Sequence, residues 1–127
     1  VAYNYRLPNV NSAIGIAQLN SLKKILRKKR KLFYKYYKEF KLFSEVDLFH
    51  EPKFCKSNYW LNVIILEDIK QRNLFLDEAN SKGLMVRPIW ILMNKLTMFK
   101  HSQCDGLTNV EWLEERVVNI PSSVVIS

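Results

Sequence analysis

Apolar side chains recur at helical spacing through the first third of the chain, and this pattern limits the fold more than any other sequence feature. Repeats of three and four residues place side chains on one face of an α-helix. The pattern predicts one long helix over residues 9–43, bent near residues 20–21, whose apolar face must pack against another layer of structure. The residues of this face are Ala13, Ile14, Ala17, Leu22, Ile25, Leu26, Leu32, Phe33, Tyr36, Tyr37 and Phe40.

The opposite face of the predicted helix carries the positive charge of the protein. The sequence has a formal net charge of +8, and residues 23–41 hold ten of its twenty Lys and Arg with a single acid, Glu39. A solvated face is the simplest interpretation. The same cations beside Tyr34 and Tyr37 could bind nucleic acid, and an amphipathic basic helix can also lie on an anionic membrane. Nucleic acid is the weaker alternative, because the tyrosines fall largely on the apolar stripe.

Pro8 marks the point where an extended segment changes into the helix. Proline fixes its own φ and biases Leu7 away from helical geometry, so residues 1–8 are predicted to form an extended loop. Asn9 or Asn11 is predicted to cap the helix. Small residues in the first turns would let another backbone, or a phosphate attracted by unpaired N–H groups, approach closely.

Beyond residue 43 the pattern changes to shorter elements. The run 59–66 is rich in β-branched and aromatic residues and predicts a buried strand. Asp68 lies at capping-box spacing from Gln71, so a helix is predicted to begin there, and Gly83 is suited to its end. Residues 85–87 predict a second strand, and the intervening helix would pair the two strands in one sheet.

The remaining elements complete an α+β prediction. Residues 46–49 are a weaker strand candidate, and residues 117–120 predict a last strand. Thr108 and Glu111 form another capping-box pattern, at the start of a short helix. The predicted fold is a long N-terminal helix packed on a small sheet of about three strands, with two further helices; residues 44–127 form the sheet region.

Length and composition indicate a single domain with a core. The chain has 127 residues, 48% of them hydrophobic, and only seven are Gly or Pro, which argues against disorder. No apolar run approaches the roughly 20 residues that span a bilayer. Cys55 and Cys104 stand far apart, without metal-ligand spacing, and predict reduced thiols in a cytoplasmic protein. The chain opens at Val1 rather than at Met, which would suit a fragment of a longer protein.

Five segments together resemble one enzyme family. In order they are NYRLPNVNSAIGIAQLNSL, SNYWLNVIIL, FLDEANSKG, LMVRPIW and VVNIPSS. This series resembles the C-terminal region of DegT/StrS-type aminotransferases, which are pyridoxal-phosphate (PLP) enzymes that aminate keto sugars carried on nucleotides. The resemblance runs from Asn4 to about Ser123. It implies that residues 1–127 are the C-terminal domain of a longer fold-type I aminotransferase.

The resemblance also implies where the chemistry lies. In these enzymes the lysine that binds PLP is in an upstream domain, so this chain is expected to hold no catalytic residue and to be inactive alone. The NYR loop crosses a dimer interface to the cofactor phosphate, which makes Asn4 and Arg6 the implied cofactor-binding residues. Arg87, Trp90 and Asn94 are the implied substrate-binding residues. The family often has His at the position of Asn94, and because Asn cannot titrate near neutrality, proton transfer is not expected there.

RPIW, the MF that follows it and NIPSS most resemble members that aminate 4-keto-6-deoxy sugars on the way to legionaminic-type acids. The implied reaction moves an amino group from glutamate to PLP and then to the keto sugar nucleotide. The implied partners are a second copy of the enzyme and these two substrates. Two other hypotheses stay open. One is a stand-alone basic module that uses residues 23–41, and the other is a structural or dimerisation domain whose relatives are enzymes.

Overall fold

In the computed structural model, residues 6–124 are described, and the predicted cofactor-binding residue Asn4 lies outside them. The helices are α1, Asn9–Phe40, α2, Ile69–Ser81, and α3, Thr108–Glu114. The strands are β1, Val46–Leu48, β2, Asn62–Leu66, β3, Arg87–Pro88, and β4, Val117–Ile120. Two 3₁₀ turns, Met93–Lys95 and Thr97–Phe99, follow β3. The α+β class predicted from the sequence is confirmed.

The strands form one four-stranded sheet in the order β1-β2-β4-β3, and every neighbouring pair is antiparallel. The sheet has one strand more than predicted, because the weak candidate near residue 46 pairs with β2. The prediction that the two strands around α2 pair directly was wrong. Since β4 pairs with both, β2 and β3 run parallel to each other on either side of it.

Alternate residues of the two central strands build the core. Ile64 of β2 and Val118 of β4 lie opposite each other and are fully buried. Tyr36 and Phe40 from the C-terminal half of α1, together with Ala79 of α2, pack over this face. Full burial of a side chain such as Ile64 or Val118 contributes about 1.5–3 kcal/mol. The sheet is therefore held by the second half of the long helix.

The ends of α1 differ from the prediction. Neither Asn9 nor Asn11 caps the helix, because Pro8 occupies the N-cap position and Asn9 is already helical. The Ser12 hydroxyl donates instead to the Pro8 carbonyl oxygen at 3.2 Å. The helix runs without interruption across residues 20–21 and ends at Phe40, three residues earlier than predicted.

Of the two helix caps predicted in the shorter elements, the cap of α2 is confirmed and the cap of α3 is absent. The Asp68 carboxylate accepts from the Gln71 N–H at 2.8 Å, and Gly83 has φ +77°, so α2 begins and ends as predicted. The capping box proposed for Thr108 does not form, because Leu107 is the N-cap residue of α3 and Thr108 is the first helical residue. A threonine inside the helix cannot cap its start.

Candidate substrate site

Two of the predicted substrate-binding residues lie together at one end of the sheet. Arg87 opens β3 and pairs with Asn119 of β4, and Trp90 follows just after the strand. Both side chains are exposed and line a cavity of about 430 Å³, together with Trp60 and Ser122. The volume lies within the usual range of small-molecule sites.

The third predicted residue, Asn94, is not part of this cavity. It lies in the 3₁₀ turn Met93–Lys95 and lines a second cavity of about 360 Å³. Apolar side chains dominate there, including Phe99 and Val110, and Cys104 lies at the same cavity. The structure thus brings Arg87 and Trp90 together and places Asn94 at a different cavity.

Trp60 belongs to the first cavity, although the sequence analysis did not select it. Its indole ring stacks on that of Trp90 with 6.4 Å between centroids and 30° between planes. The two side chains remain 65% and 70% exposed. Counting back by twos from the buried Ile64 places Trp60 on the core face of a strand, which is why the pattern concealed it.

The backbone at Tyr59 explains the difference. Tyr59 has φ +47°, in the left-handed region, which costs a residue with a side chain roughly 1–2 kcal/mol. Its ring is buried and stacks on Phe33 of α1, with centroids 4.1 Å apart, and its N–H donates to the Ser57 hydroxyl at 2.9 Å. This turn delays the start of β2 to Asn62. It also leaves Trp60 exposed while Tyr59 packs inward.

Lys29 of α1 connects two residues that line the cavity. Its ammonium group donates to the carbonyl oxygens of Trp60 at 3.1 Å and Ser122 at 2.5 Å. Among residues 6–124 no carboxylate forms a salt bridge with it. Partial burial lowers the pKa of Lys29, because a desolvated ammonium is less stable. Only the tertiary structure shows that this lysine serves the fold.

Arg30 makes the second tie between α1 and the loop before β2. Its guanidinium donates to both Glu51 carboxylate oxygens, at 2.7 and 3.0 Å, and to the Ser57 carbonyl oxygen at 2.7 Å. The Ser57 N–H also donates to Glu51. The Arg30 hydrogen bonds, followed by that from Ser57, lower the pKa of Glu51 to about 2. The neighbouring His50 is exposed.

Most of the remaining cations of residues 23–41 are exposed to solvent, as the simplest interpretation predicted. They are Lys23, Lys24, Arg27, Lys31, Lys35, Lys38 and Lys41, whereas Lys28 is half-buried. The tyrosines are divided: the Tyr36 hydroxyl donates to the Pro121 carbonyl oxygen at 2.8 Å, whereas Tyr34 and Tyr37 remain 54% and 40% exposed. In the described part of the chain, no helix is both long and apolar enough to cross a bilayer. Cys55 and Cys104 are exposed and unbridged.

The described residues are suited to bind the phosphate group of PLP. They are less suited to supply the lysine that bonds covalently to the cofactor. Lys95 forms a salt bridge with Glu114, which raises the pKa of the lysine, whereas bond formation to the cofactor needs a neutral amine. By contrast, the exposed Arg6 precedes the N-terminus of α1, where no side chain caps the helix and the first turn holds no acid. Such an end attracts anions.

The fold is that of one part of larger sugar aminotransferases. The sugar aminotransferase Spr1654 of Streptococcus pneumoniae, in its PLP form, superposes with a TM-score of 0.85 and 20% identity over 99% of this chain and 33% of that chain. PseC of Helicobacter pylori, an aminotransferase involved in pseudoaminic acid biosynthesis, gives a TM-score of 0.85 and 18% identity over 95% of this chain and 33% of that chain. At these identities the likeness concerns the fold.

Sequence comparison identifies the family. The model of the DegT/DnrJ/EryC1/StrS aminotransferase family matches residues 1–127, and the chain belongs to this family of PLP-dependent sugar aminotransferases. GDP-perosamine synthases are similar to it: that of Escherichia coli O157:H7 is 27% identical over 124 residues, and that of Vibrio cholerae 29% over 125. The alignments cover 96% of this chain but only 33% and 34% of those enzymes. The chain thus spans about a third of their length.

Proposed function

We propose that this chain is the C-terminal domain of a PLP-dependent aminotransferase that transfers an amino group from glutamate to a keto sugar nucleotide. The observation that carries the proposal is the family match over residues 1–127, at a third of the length of the similar enzymes. The cavity that Arg87 and Trp90 share supports a substrate site in this domain. On this proposal the domain is inactive alone and works within a cytoplasmic homodimer.

Each proposed site residue has a distinct role. Arg87 offers a planar set of N–H donors, which suits the phosphate oxygens of a sugar nucleotide. Trp90 offers an apolar ring face for stacking. Asn94 can donate and accept hydrogen bonds to sugar hydroxyl groups without carrying a proton, so a general-base role belongs elsewhere in the enzyme. We assign to this site a 4-keto-6-deoxy sugar nucleotide of the legionaminic type, because the segments RPIW and NIPSS resemble those of enzymes that act on such substrates.

The N-terminal end of the chain would hold the cofactor of the partner subunit. Asn4 supplies an amide donor and Arg6 a permanent cation for the phosphate, beside the uncapped start of α1. When bound, PLP supplies the electron sink for amino transfer. The chain's own contribution is to bind and orient that group across the dimer interface.

Borohydride reduction of the native full-length protein tests the proposal. Intact mass and peptide mapping are expected to show a chain of about three times this length, with a pyridoxyl adduct on a lysine upstream of residue 1. Glutamate is expected to change the absorbance spectrum of the cofactor before any keto sugar is added. A native chain of 127 residues with no adduct would contradict the enzyme assignment.

Substitution of Arg6 tests the cofactor role separately. Arg6→Gln in the full-length enzyme is expected to weaken PLP retention by roughly tenfold or more, because a charged hydrogen bond to phosphate contributes about 1.5–3 kcal/mol. Arg27→Gln is the matched control, since it removes the same charge from the exposed face of α1. Equal PLP dissociation constants for the two variants would contradict the assignment.

Substitution of the exposed cations of α1 addresses the basic-module alternative. The exposed cations of α1 support that alternative, but Lys29 and Arg30 from the same charge run serve the fold. A nucleic-acid module would lose polyanion affinity and its steep salt dependence when Lys23, Arg27 and Lys31 are changed to Gln. An aminotransferase domain would keep its sugar-nucleotide activity in that variant.

A further inference from the structure

We propose that Trp60 and Trp90 form the platform on which the base of a nucleoside diphosphate stacks, with the Arg87 guanidinium on its phosphates. The inference rests on the proposed function and deepens it, because it adds Trp60 to the site and assigns the nucleotide moiety to this cavity. Three independent features of the described residues carry it: the exposure of the indoles, the strained turn that presents one of them, and the unpaired cation beside them.

The exposure of the paired indoles is the first feature. Tryptophan is highly buried on average in folded proteins, yet these two side chains are 65% and 70% exposed and stacked on each other at 6.4 Å. Trp60 precedes β2 and Trp90 follows β3, so two separate parts of the chain bring their indoles to one cavity. An exposed aromatic surface at a cavity mouth suits a flat, apolar ligand group such as a nucleobase.

The backbone that presents Trp60 is the second feature. Tyr59, directly before it, is the only described residue other than glycine with positive φ. A left-handed residue of this kind persists only where its surroundings enforce it, and such strain is common at ligand sites. The Trp60 N–H donates to the Asn58 side-chain oxygen at 2.9 Å, and its carbonyl oxygen accepts from Lys29. The backbone of Trp60 is thus fixed before any ligand arrives.

The charge at the cavity is the third feature. Arg87 is exposed, and no described carboxylate forms a salt bridge with it. Its backbone is held by β4, where the Asn119 side chain donates to the Pro88 carbonyl oxygen at 3.2 Å. A guanidinium beside stacked aromatic rings suits both the flat base and the anionic diphosphate of a nucleoside diphosphate.

Calorimetry of UDP and GDP binding to the full-length enzyme tests the inference, because these nucleotides lack the keto sugar of the proposed substrate. Trp60→Ala and Trp90→Ala are each expected to raise the dissociation constant about tenfold or more, as loss of a base–aromatic stack does. Arg87→Gln is expected to weaken the binding of UDP and of GDP to a similar extent. Trp60→Phe should restore much of the affinity lost in Trp60→Ala, because it retains an aromatic face.

Trp112→Ala is the matched control. Trp112 is 47% exposed, its ring centroid lies 4.7 Å from Cζ of Arg116, and it does not line the cavity. Its replacement by alanine should therefore change nucleotide affinity less than twofold. Equal losses in the control and in Trp60→Ala would overturn the inference. Unchanged affinity of Trp60→Ala for UDP and GDP would overturn the inference as well. That outcome is expected if the indoles stack on the sugar instead of the base.

Hydroxyl-radical footprinting of the wild-type enzyme gives an answer that depends on no variant. UDP is expected to protect Trp60 and Trp90 from oxidation and to leave Trp112 unchanged, whereas equal oxidation with and without UDP would overturn the inference. The proposed function is tested separately, by the change in cofactor absorbance when glutamate is added to the wild-type enzyme. An enzyme that responds to glutamate but shows no protection keeps its function and loses only this platform.

Discussion

Both halves of α1 carry apolar side chains, but the surroundings of these side chains differ. In the second half, Phe33 is 3% exposed, and Tyr36 and Phe40 pack against the sheet. In the first half, Val10, Ile14, Ile16 and Leu19 are 56–70% exposed. Lys29 and Arg30 mark the change, because their hydrogen bonds anchor the helix to the loops that flank β2 and β4.

This difference separates two causes of helix formation. The second half is stabilised by tertiary packing, which supplies most of the stability of helices in proteins. Within the described part of the chain, the first half has no such layer over its apolar side chains, so it depends on helix propensity and on continuity with the packed half. Periodicity alone therefore locates a helix but does not say which part of it is buried.

Substitutions in the core should have the largest effect. Ile64→Ala is expected to lower the free energy of unfolding by about 2–5 kcal/mol, because it leaves a cavity between β2 and the helices. Ile16→Ala, the matched change in the first half of α1, is expected to stay within about 0.5 kcal/mol. Urea unfolding followed by circular dichroism measures both. A cost above 2 kcal/mol for Ile16→Ala would show that the first half is packed after all.

The junction between the halves should be sensitive to pH. The folded-state pKa of Glu51 is about 2, against an ordinary value of 4.5. Its contribution to stability is therefore complete above about pH 4.5 and is lost as the pH falls toward 2, because the unfolded state binds the proton first. Unfolding of the wild type and of Glu51→Gln should differ most above pH 5 and converge near pH 2.

Glu78→Gln is the control for that titration. Glu78 pairs with Lys82 at 3.6 Å, and both side chains are more than 70% exposed. Exposed pairs of this kind contribute little, so the variant should follow the wild-type curve at every pH. Convergence of the Glu51→Gln and wild-type curves only above pH 5 would contradict the assigned direction of the shift.

Local signals predicted the elements of the fold more reliably than their pairing. The cap of α2 depends on two residues three positions apart, Asp68 and Gln71, and it was confirmed. The position of β4 between β2 and β3 depends on contacts between residues thirty or more positions apart, which no local pattern encodes. The α3 cap failed by a single residue, because the helix begins after Leu107.

The candidate site shows the same division. Arg87 and Trp90 lie three positions apart around one short strand, so the sequence could place them together. Trp60 joins them because Tyr59 adopts positive φ, and the ring of Tyr59 packs on Phe33 from a helix distant in sequence. Lys29 was hidden for the same reason, since a lysine in a charge run looks solvated until its carbonyl partners are known.

Glycine substitutions give the smallest effects and test the first half of α1 from the backbone. Gly15 lies inside the helix, and an added Cβ would meet no atom within 4 Å, so Gly15→Ala should raise the free energy of unfolding by about 0.5–1 kcal/mol. Gly83→Ala provides the contrast: its φ of +77° makes the alanine strained, and a loss of about 1 kcal/mol is expected despite equally open space. Thermal unfolding of both variants measures these signs. A loss for Gly15→Ala in the full-length enzyme, with a gain in the 127-residue chain, would show that another segment packs closely on this turn of α1.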